Sequence, residues 1–200
     1  MTVVCVFGDS IAWGAADSES GGWVARLNSY LQISGYDAIV YNRGVCGDDT
    51  DRLLRRFKME ATALEPDVII FAIGINDSQH VRPRKDSRIR IEKFRKNLEV
   101  LLNQAKRITG RIIYVGLTRV DESKTVPIPC DAVDYYNNES ISGYDAAIKK
   151  LCQKNKVAYI GMLDLLSAYD LEDGLHPNSR GHEKMFERVR KSLFDTKMLP

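Results

Sequence analysis

No stretch of this 200-residue chain approaches the roughly 18 consecutive apolar residues that a membrane-spanning helix needs. An integral membrane protein is therefore not expected. Histidine is scarce, with His80, His176 and His182 the full complement of 3, and they are scattered, which leaves little for a metal centre built on clustered imidazoles. The four cysteines, Cys5, Cys46, Cys130 and Cys152, form no CxxC pair, and Cys5 lies inside an apolar segment. That usage favours reduced thiols over a disulfide framework. Met1 leads straight into the first apolar segment with no secretory leader between them, so a cytoplasmic setting is expected. Charge of one sign is also lacking: 29 Lys and Arg face 27 Asp and Glu, for a net +2. The two signs are interspersed, and no nucleic-acid surface is predicted. The densest basic runs, Arg52, Arg55, Arg56 and Lys58, then Arg82, Arg84, Lys85, Arg88 and Arg90, read as solvated faces. No internal repeat or low-complexity segment is present.

What the chain does have is a hydrophobic content of 44%, enough for one buried core over residues 1–200 and read as a single domain. Val3 to Phe7 is a β-branched apolar run stopped by Gly8-Asp9-Ser10, which predicts a strand buried on both faces with a hydroxyl at its carboxyl end. A loop from Ala12 to Gly22 and a helix from Trp23 to Ser34 follow. Ala38 to Asn42 is a second strand ending in the turn Arg43-Gly44-Val45-Cys46-Gly47, and Asp48, Asp49 and Thr50 are helix-starting residues for a segment reaching Leu64. Val68 to Ile73 is the most continuous apolar run and the expected central strand. It stops at Gly74-Ile75-Asn76-Asp77, and a polar loop spans Ser78 to Arg88.

Ile91, Phe94, Leu98, Leu101, Leu102, Ala105 and Ile108 recur at helical spacing. A fourth strand is expected over Ile112 to Leu117, a long polar connection over Thr118 to Asn138, a helix through Tyr144, Ile148 and Leu151, and a fifth strand over Val157 to Met162. A last helix runs from Ser179 to Phe194. Five strands alternating with helices predict an α/β protein: a three-layer α/β/α arrangement around a flavodoxin-like, parallel, five-stranded sheet.

In such a sheet all strand ends of one polarity share an edge, where open α/β folds bind ligands. Gly8-Asp9-Ser10, the Gly44 to Gly47 turn and Asn76-Asp77 fall on that edge, and Asp173-Gly174-Leu175-His176 follows the fifth strand there. A serine is a weak nucleophile until a base takes its proton. His176 can do so, with Asp173 fixing the imidazole tautomer, and the chain order Ser, Asp, His is one of several that build the same triad. Each piece alone has a plainer reading: Gly-Asp-Ser as a turn, Asn76-Asp77 as a helix cap, Asp173 and His176 as a loop ion pair. Asp9 is expected to tether its loop, His182 to pack or face solvent within its helix, and His80 to lie near the Asn76 turn within reach of substrate. Trp13 and Trp23 read as core or cleft wall.

These four blocks, Gly8-Asp9-Ser10, the glycine turn after the second strand, Gly74-Ile75-Asn76-Asp77 and Asp173-Gly174-Leu175-His176, resemble those of the SGNH, or GDSL, hydrolases. The resemblance extends from Val3 to Met185. It implies the SGNH hydrolase fold and an esterase or lysophospholipase-like acylhydrolase acting on a small-molecule ester through an acyl-enzyme, with no cofactor. It also implies that Ser10 is the nucleophile, that Asp173 and His176 are acid and base, and that the oxyanion hole is formed by the Ser10 and Gly47 backbone N–H groups and the Asn76 side chain. Gly47 is preferred to Gly44 because Cys46-Gly47-Asp48 occupies the place of the family's Ser-Gly-Asp, and Cys46 is a departure from it.

Two other functions remain open on the residues. A metal-dependent phosphoesterase would gather Asp9, Asn76, Asp77, Asp173, His176 and His182 around two ions. A non-catalytic, flavodoxin-like binding module would hold a phosphate in the Gly8 to Gly14 loop. The Thr118 to Asn138 connection, with Val126-Pro127-Ile128-Pro129, is expected to emerge beside the cleft, where it reads either as a lid or substrate wall or as an inert surface excursion.

Overall fold

The computed structural model describes residues 1–81, 86–128 and 134–199. Arg82, Arg84, Lys85, Pro129 and Cys130 of the sequence reading lie outside the described residues.

The core is a parallel sheet of β1 (Thr2–Gly8), β2 (Ala38–Gly44), β3 (Val68–Ala72), β6 (Arg111–Val115) and β7 (Ala158–Ile160), in the order β2-β1-β3-β6-β7. β3 is central, as its uninterrupted apolar run predicts. Two short segments, β4 (His80–Val81) and β5 (Asp86–Ser87), make a separate antiparallel ribbon within what the sequence reads as a plain polar loop. The helices are α1 (Ser10–Trp13), α2 (Gly22–Ile33), α3 (Thr50–Leu64), α4 (Ile91–Ala105), α5 (Glu122–Thr125), α6 (Asn138–Asn155) and α7 (Ser179–Asp195). With helices on both faces of the sheet, the three-layer α/β/α expectation holds. No helix among the described residues is long and apolar enough to cross a membrane.

The layers are held by aromatic packing. Phe57 of α3 sets its ring edge-on to Phe7 of β1 at 4.8 Å and against Phe71 of β3 at 5.1 Å, and Tyr114 of β6 continues the row at 4.9 Å from Phe71. All four are fully buried, and offset or edge contacts of this kind add to the stabilisation from burial alone. Tyr30 of α2, Tyr36 between α2 and β2, and Phe186 and Phe194 of α7 form a second cluster.

Register levels the functional edge. Gly8 pairs with Gly44 of β2 on one side and Ala72 of β3 on the other, so three strands end together. Gly8 has no alternative: a Cβ there would sit 2.3 Å from the Ala72 carbonyl oxygen and 2.5 Å from the Ala12 side chain. β6 ends short of the predicted Leu117 because the Leu117 N–H is taken by the buried Asp145 carboxylate at 2.9 Å instead of by the ladder. The described parts of the connection from Thr118 to Asn138 are also more ordered than their composition suggests. They contain α5, capped by the Asp121 side chain, and Tyr135 pairs with His80 as an antiparallel bridge.

Candidate active site

Ser10 is the first residue of α1, not a loop residue. Asp9 caps that helix, its carboxylate accepting the Ile11 N–H at 2.9 Å. The tether expected of Asp9 is therefore present, and burial pushes its carboxyl up to about 7 despite the pull of that N–H.

The turns after β1, β2 and β3 are bonded to one another. The Val45 N–H donates to the Gly8 carbonyl at 3.0 Å, and the Asn76 amide donates to the Asp48 carbonyl at 2.8 Å. Asp77, fully buried, receives the N–H and hydroxyl of Thr50 at the start of α3. Asp77 thus holds the first N–H of α3, whose own N-cap is Asp49, the Asp49 carboxylate accepting the Arg52 N–H at 2.9 Å. Burial pushes the Asp77 carboxyl up to about 7 against the pull of Thr50. Gly47 adopts φ +78°, a left-handed conformation that glycine takes without strain. Its carbonyl is held by Arg52 at 3.1 Å and Arg88 at 3.0 Å, and Arg88 also pairs with Asp49 at 3.0 Å.

Arg56 corrects the sequence reading. It is not on a solvated face: its side chain is mostly buried and bonds Asp48 at 2.8 Å, Glu60 at 3.0 Å and the Arg43 carbonyl at 2.9 Å. Arg88 of the second basic run departs from the solvated-face reading in the same way, so Arg52, Arg56 and Arg88 together fix main-chain carbonyls and aspartates behind the glycine turn.

The fourth block arrives from the loop after β7. His176 Nε2 lies 2.9 Å from Ser10 Oγ, and His176 Nδ1 lies 2.7 Å from Asp173 Oδ2. The other carboxylate oxygen, Asp173 Oδ1, accepts the N–H groups of Leu175 at 2.9 Å and His176 at 2.7 Å. Burial opposes charge on Asp173, but the His176 ring and these two N–H groups outweigh it and hold the carboxyl well below its usual range. An ionised Asp173 accepting from Nδ1–H leaves Nε2 as the proton acceptor facing Ser10, the arrangement a general base requires.

Supports on either side hold this loop. Asp170, fully buried, accepts from Arg180 at 2.7 Å, Lys184 at 2.8 Å and Ser167 at 2.8 Å. The Asp121 N–H donates to the Gly174 carbonyl at 2.8 Å.

The remaining predicted residues have other surroundings. His182 is fully buried and bridges two segments, accepting the Trp23 N–H on Nδ1 at 3.3 Å and donating from Nε2 to the Ala15 carbonyl at 3.0 Å. Burial lowers its pKa. His80 stacks on Tyr135, rings parallel and 4.5 Å apart. Trp23 is core and Trp13 is exposed. Cys46 is exposed, and partial burial of its sulfur, with Asp9 nearby, raises its pKa, which disfavours the thiolate that thiol chemistry needs. Sequence reasoning missed Tyr136, whose hydroxyl donates to Asn76 Oδ1 at 2.8 Å. No spacing or motif marks it.

Residues 6–184 match the model of the GDSL-like Lipase/Acylhydrolase family. The chain belongs to that family. Among relatives of this GDSL hydrolase, Esterase TesA of Pseudomonas aeruginosa is 22% identical over 94% of this chain and 86% of its own length. Two solved structures share the fold. The acetylxylan esterase Axe2 of Geobacillus stearothermophilus is 18% identical, with a TM-score of 0.77 over 96% of this chain and 94% of that one. The lipase/acylhydrolase of Enterococcus faecalis is 21% identical, with a TM-score of 0.78 over 98% and 97%. The resemblance drawn from the four sequence blocks is thereby borne out at the level of family and fold.

Proposed function

We propose that this GDSL hydrolase cleaves small-molecule carboxylic esters through a Ser10-His176-Asp173 triad and an acyl-enzyme, as a single catalytic domain across residues 1–200. The observation that carries the reading is the unbroken relay from Ser10 Oγ to His176 Nε2 at 2.9 Å and from His176 Nδ1 to Asp173 at 2.7 Å. Ser10 Oγ attacks the acyl carbonyl carbon while His176 takes its proton, and Asp173 stabilises the imidazolium. The carbonyl oxygen becomes an oxyanion facing the Ser10 and Gly47 N–H groups and the Asn76 amide. Collapse breaks the ester C–O bond, and His176 returns the proton to the departing alcohol. A water then repeats the sequence on the acyl-enzyme, releasing the acid and free Ser10. The catalytic mutants described for Axe2 support this, because they replace a serine, an aspartate and, three residues on, a histidine. The same spacing separates Asp173 from His176 in this chain.

The phosphoesterase reading has less support. Asp77 is engaged by Thr50, His182 by Trp23 and Ala15, and Asp9 by Ile11. Among the described residues no three His, Cys, Asp or Glu side chains are grouped to hold an ion.

The test is labelling with an organophosphonate probe, beside turnover of esters of graded acyl length, in the wild type and Ser10→Ala. A single adduct on Ser10, and loss of both labelling and turnover in the variant, are expected. Labelling elsewhere, full turnover by Ser10→Ala, or activity abolished by a chelator would overturn the proposal.

A further inference from the structure

We infer that Tyr136 is a positioning residue for ester hydrolysis, acting through Asn76. The inference rests on the reading of Asn76 as an oxyanion donor and adds what holds that donor in place. A side-chain amide carries one acceptor oxygen and two N–H bonds. In Asn76 one N–H goes to the Asp48 carbonyl at 2.8 Å and the oxygen receives the Tyr136 hydroxyl at 2.8 Å, which leaves one N–H to meet substrate. The Asp48 carbonyl can only accept, so it keeps the nitrogen side of the amide toward itself, and the Tyr136 O–H can then only donate to the oxygen. Gripped at both ends, the amide plane cannot rotate, and the second N–H keeps one direction.

The hydroxyl also acts electronically. Donation to an amide oxygen draws density from the nitrogen and strengthens the N–H as a donor, an effect that chained hydrogen bonds share in a low-dielectric site. Asn76 and Tyr136 are 5% and 4% exposed, so water does not compete for these bonds. Tyr136 is itself fixed by the buried Thr125 at the end of α5: its N–H donates to the Thr125 carbonyl at 3.1 Å, and its carbonyl accepts the Thr125 hydroxyl at 2.9 Å. The connection after β6 thus reaches back 60 residues in sequence to orient a group at the end of β3.

The experiment is a double-mutant cycle on wild type, Tyr136→Phe, Asn76→Ala and the double variant. It reads kcat per phosphonate-titrated site, KM and melting temperature with a short acetyl ester. Asn76→Ala should lose about 100- to 1,000-fold in kcat, the loss typical of one oxyanion donor. Tyr136→Phe should lose about 3- to 10-fold, the worth of one net hydrogen bond. KM should barely move, and the Tyr136→Phe loss should vanish on the Asn76→Ala background. An equal loss on both backgrounds, or an unchanged kcat in Tyr136→Phe, would overturn the inference while leaving the triad reading intact. A retained kcat in Asn76→Ala would instead overturn the oxyanion reading itself, and the inference with it.

Discussion

The backbone N–H of Asp121 donates to the carbonyl of Gly174 at 2.8 Å, which ties the connection after β6 to the tetrapeptide that holds Asp173 and His176. Gly174 itself has φ +90°, and a Cβ there would lie 2.7 Å from the Lys124 Cβ and 3.1 Å from the Asp121 carbonyl oxygen. Gly174→Ala must therefore strain the backbone and push α5 away from the loop. We expect kcat to fall about 10- to 100-fold as His176 moves off line from Ser10. Titrated kcat and the melting temperature together check this, and an unaltered kcat would show that the loop tolerates the displacement.

His176 and His182 are expected to separate cleanly by phenotype. His176→Ala should abolish most ester turnover with little loss of stability. His182→Ala leaves the Trp23 N–H and the Ala15 carbonyl without their buried partner, which should cost about 1 to 3 kcal/mol of stability, with kcat per folded molecule largely retained. The sign with pH follows from the lowered pKa of His182. The unfolded chain takes up a proton below about 6.5 that the folded protein refuses, so this contribution to stability is present above that pH and is lost as pH falls through the folded value. Denaturation midpoints between pH 7 and pH 5 for the wild type and His182→Ala would measure it.

Asp77 works in the opposite direction. Its folded carboxyl titrates near 7 against an ordinary 3.8, so between those values the folded protein keeps a proton that the unfolded chain has lost. Its contribution falls as pH rises through that window and is flat above it, with a slope of no more than about 1.4 kcal/mol per pH unit for one proton. Asp77→Asn retains an acceptor for the Thr50 N–H and cannot ionise. The difference in unfolding free energy, variant minus wild type, should therefore grow in the variant's favour from pH 4 to pH 7. A difference independent of pH would mean that Asp77 is already ionised in the folded protein at the acid end.

Cys46→Ser should leave turnover nearly unchanged. The thiol is exposed and partial burial of its sulfur raises its pKa, which disfavours the thiolate that would act as nucleophile. Turnover with the acetyl ester, before and after a thiol-blocking reagent, checks the point, and an inactive Cys46→Ser protein would place chemistry on the sulfur.

Much of the site was legible because its groups sit at strand ends that hydrophobic patterning locates. Val3 to Phe7 and Val68 to Ile73 are unbroken apolar runs, and the residues that stop them, Ser10 and Asn76, are the polar groups of the edge. Asp173 and His176 were legible as a pair because they lie three positions apart. What stayed hidden depends on partners far away in sequence. Tyr136 reaches Asn76 across 60 residues, and His182 reaches Trp23 across 159. Arg56 looked solvated because its charged neighbours are on the surface, yet its own partners, Asp48 and the Arg43 carbonyl, are folded over it. The end of β6 was misjudged because an aspartate, Asp145, substitutes for a strand neighbour.

The internal bonding of Asp173 and His176 has a dynamic consequence. Their link spans 3 residues and is braced by two N–H groups of the same turn, whereas the link from His176 to Ser10 spans 166. The imidazole and carboxylate are therefore bonded as one local unit, joined to the serine by a single long-range hydrogen bond. A swing of the loop by an ångström or two would uncouple the serine while the histidine kept its tautomer and its counter-charge.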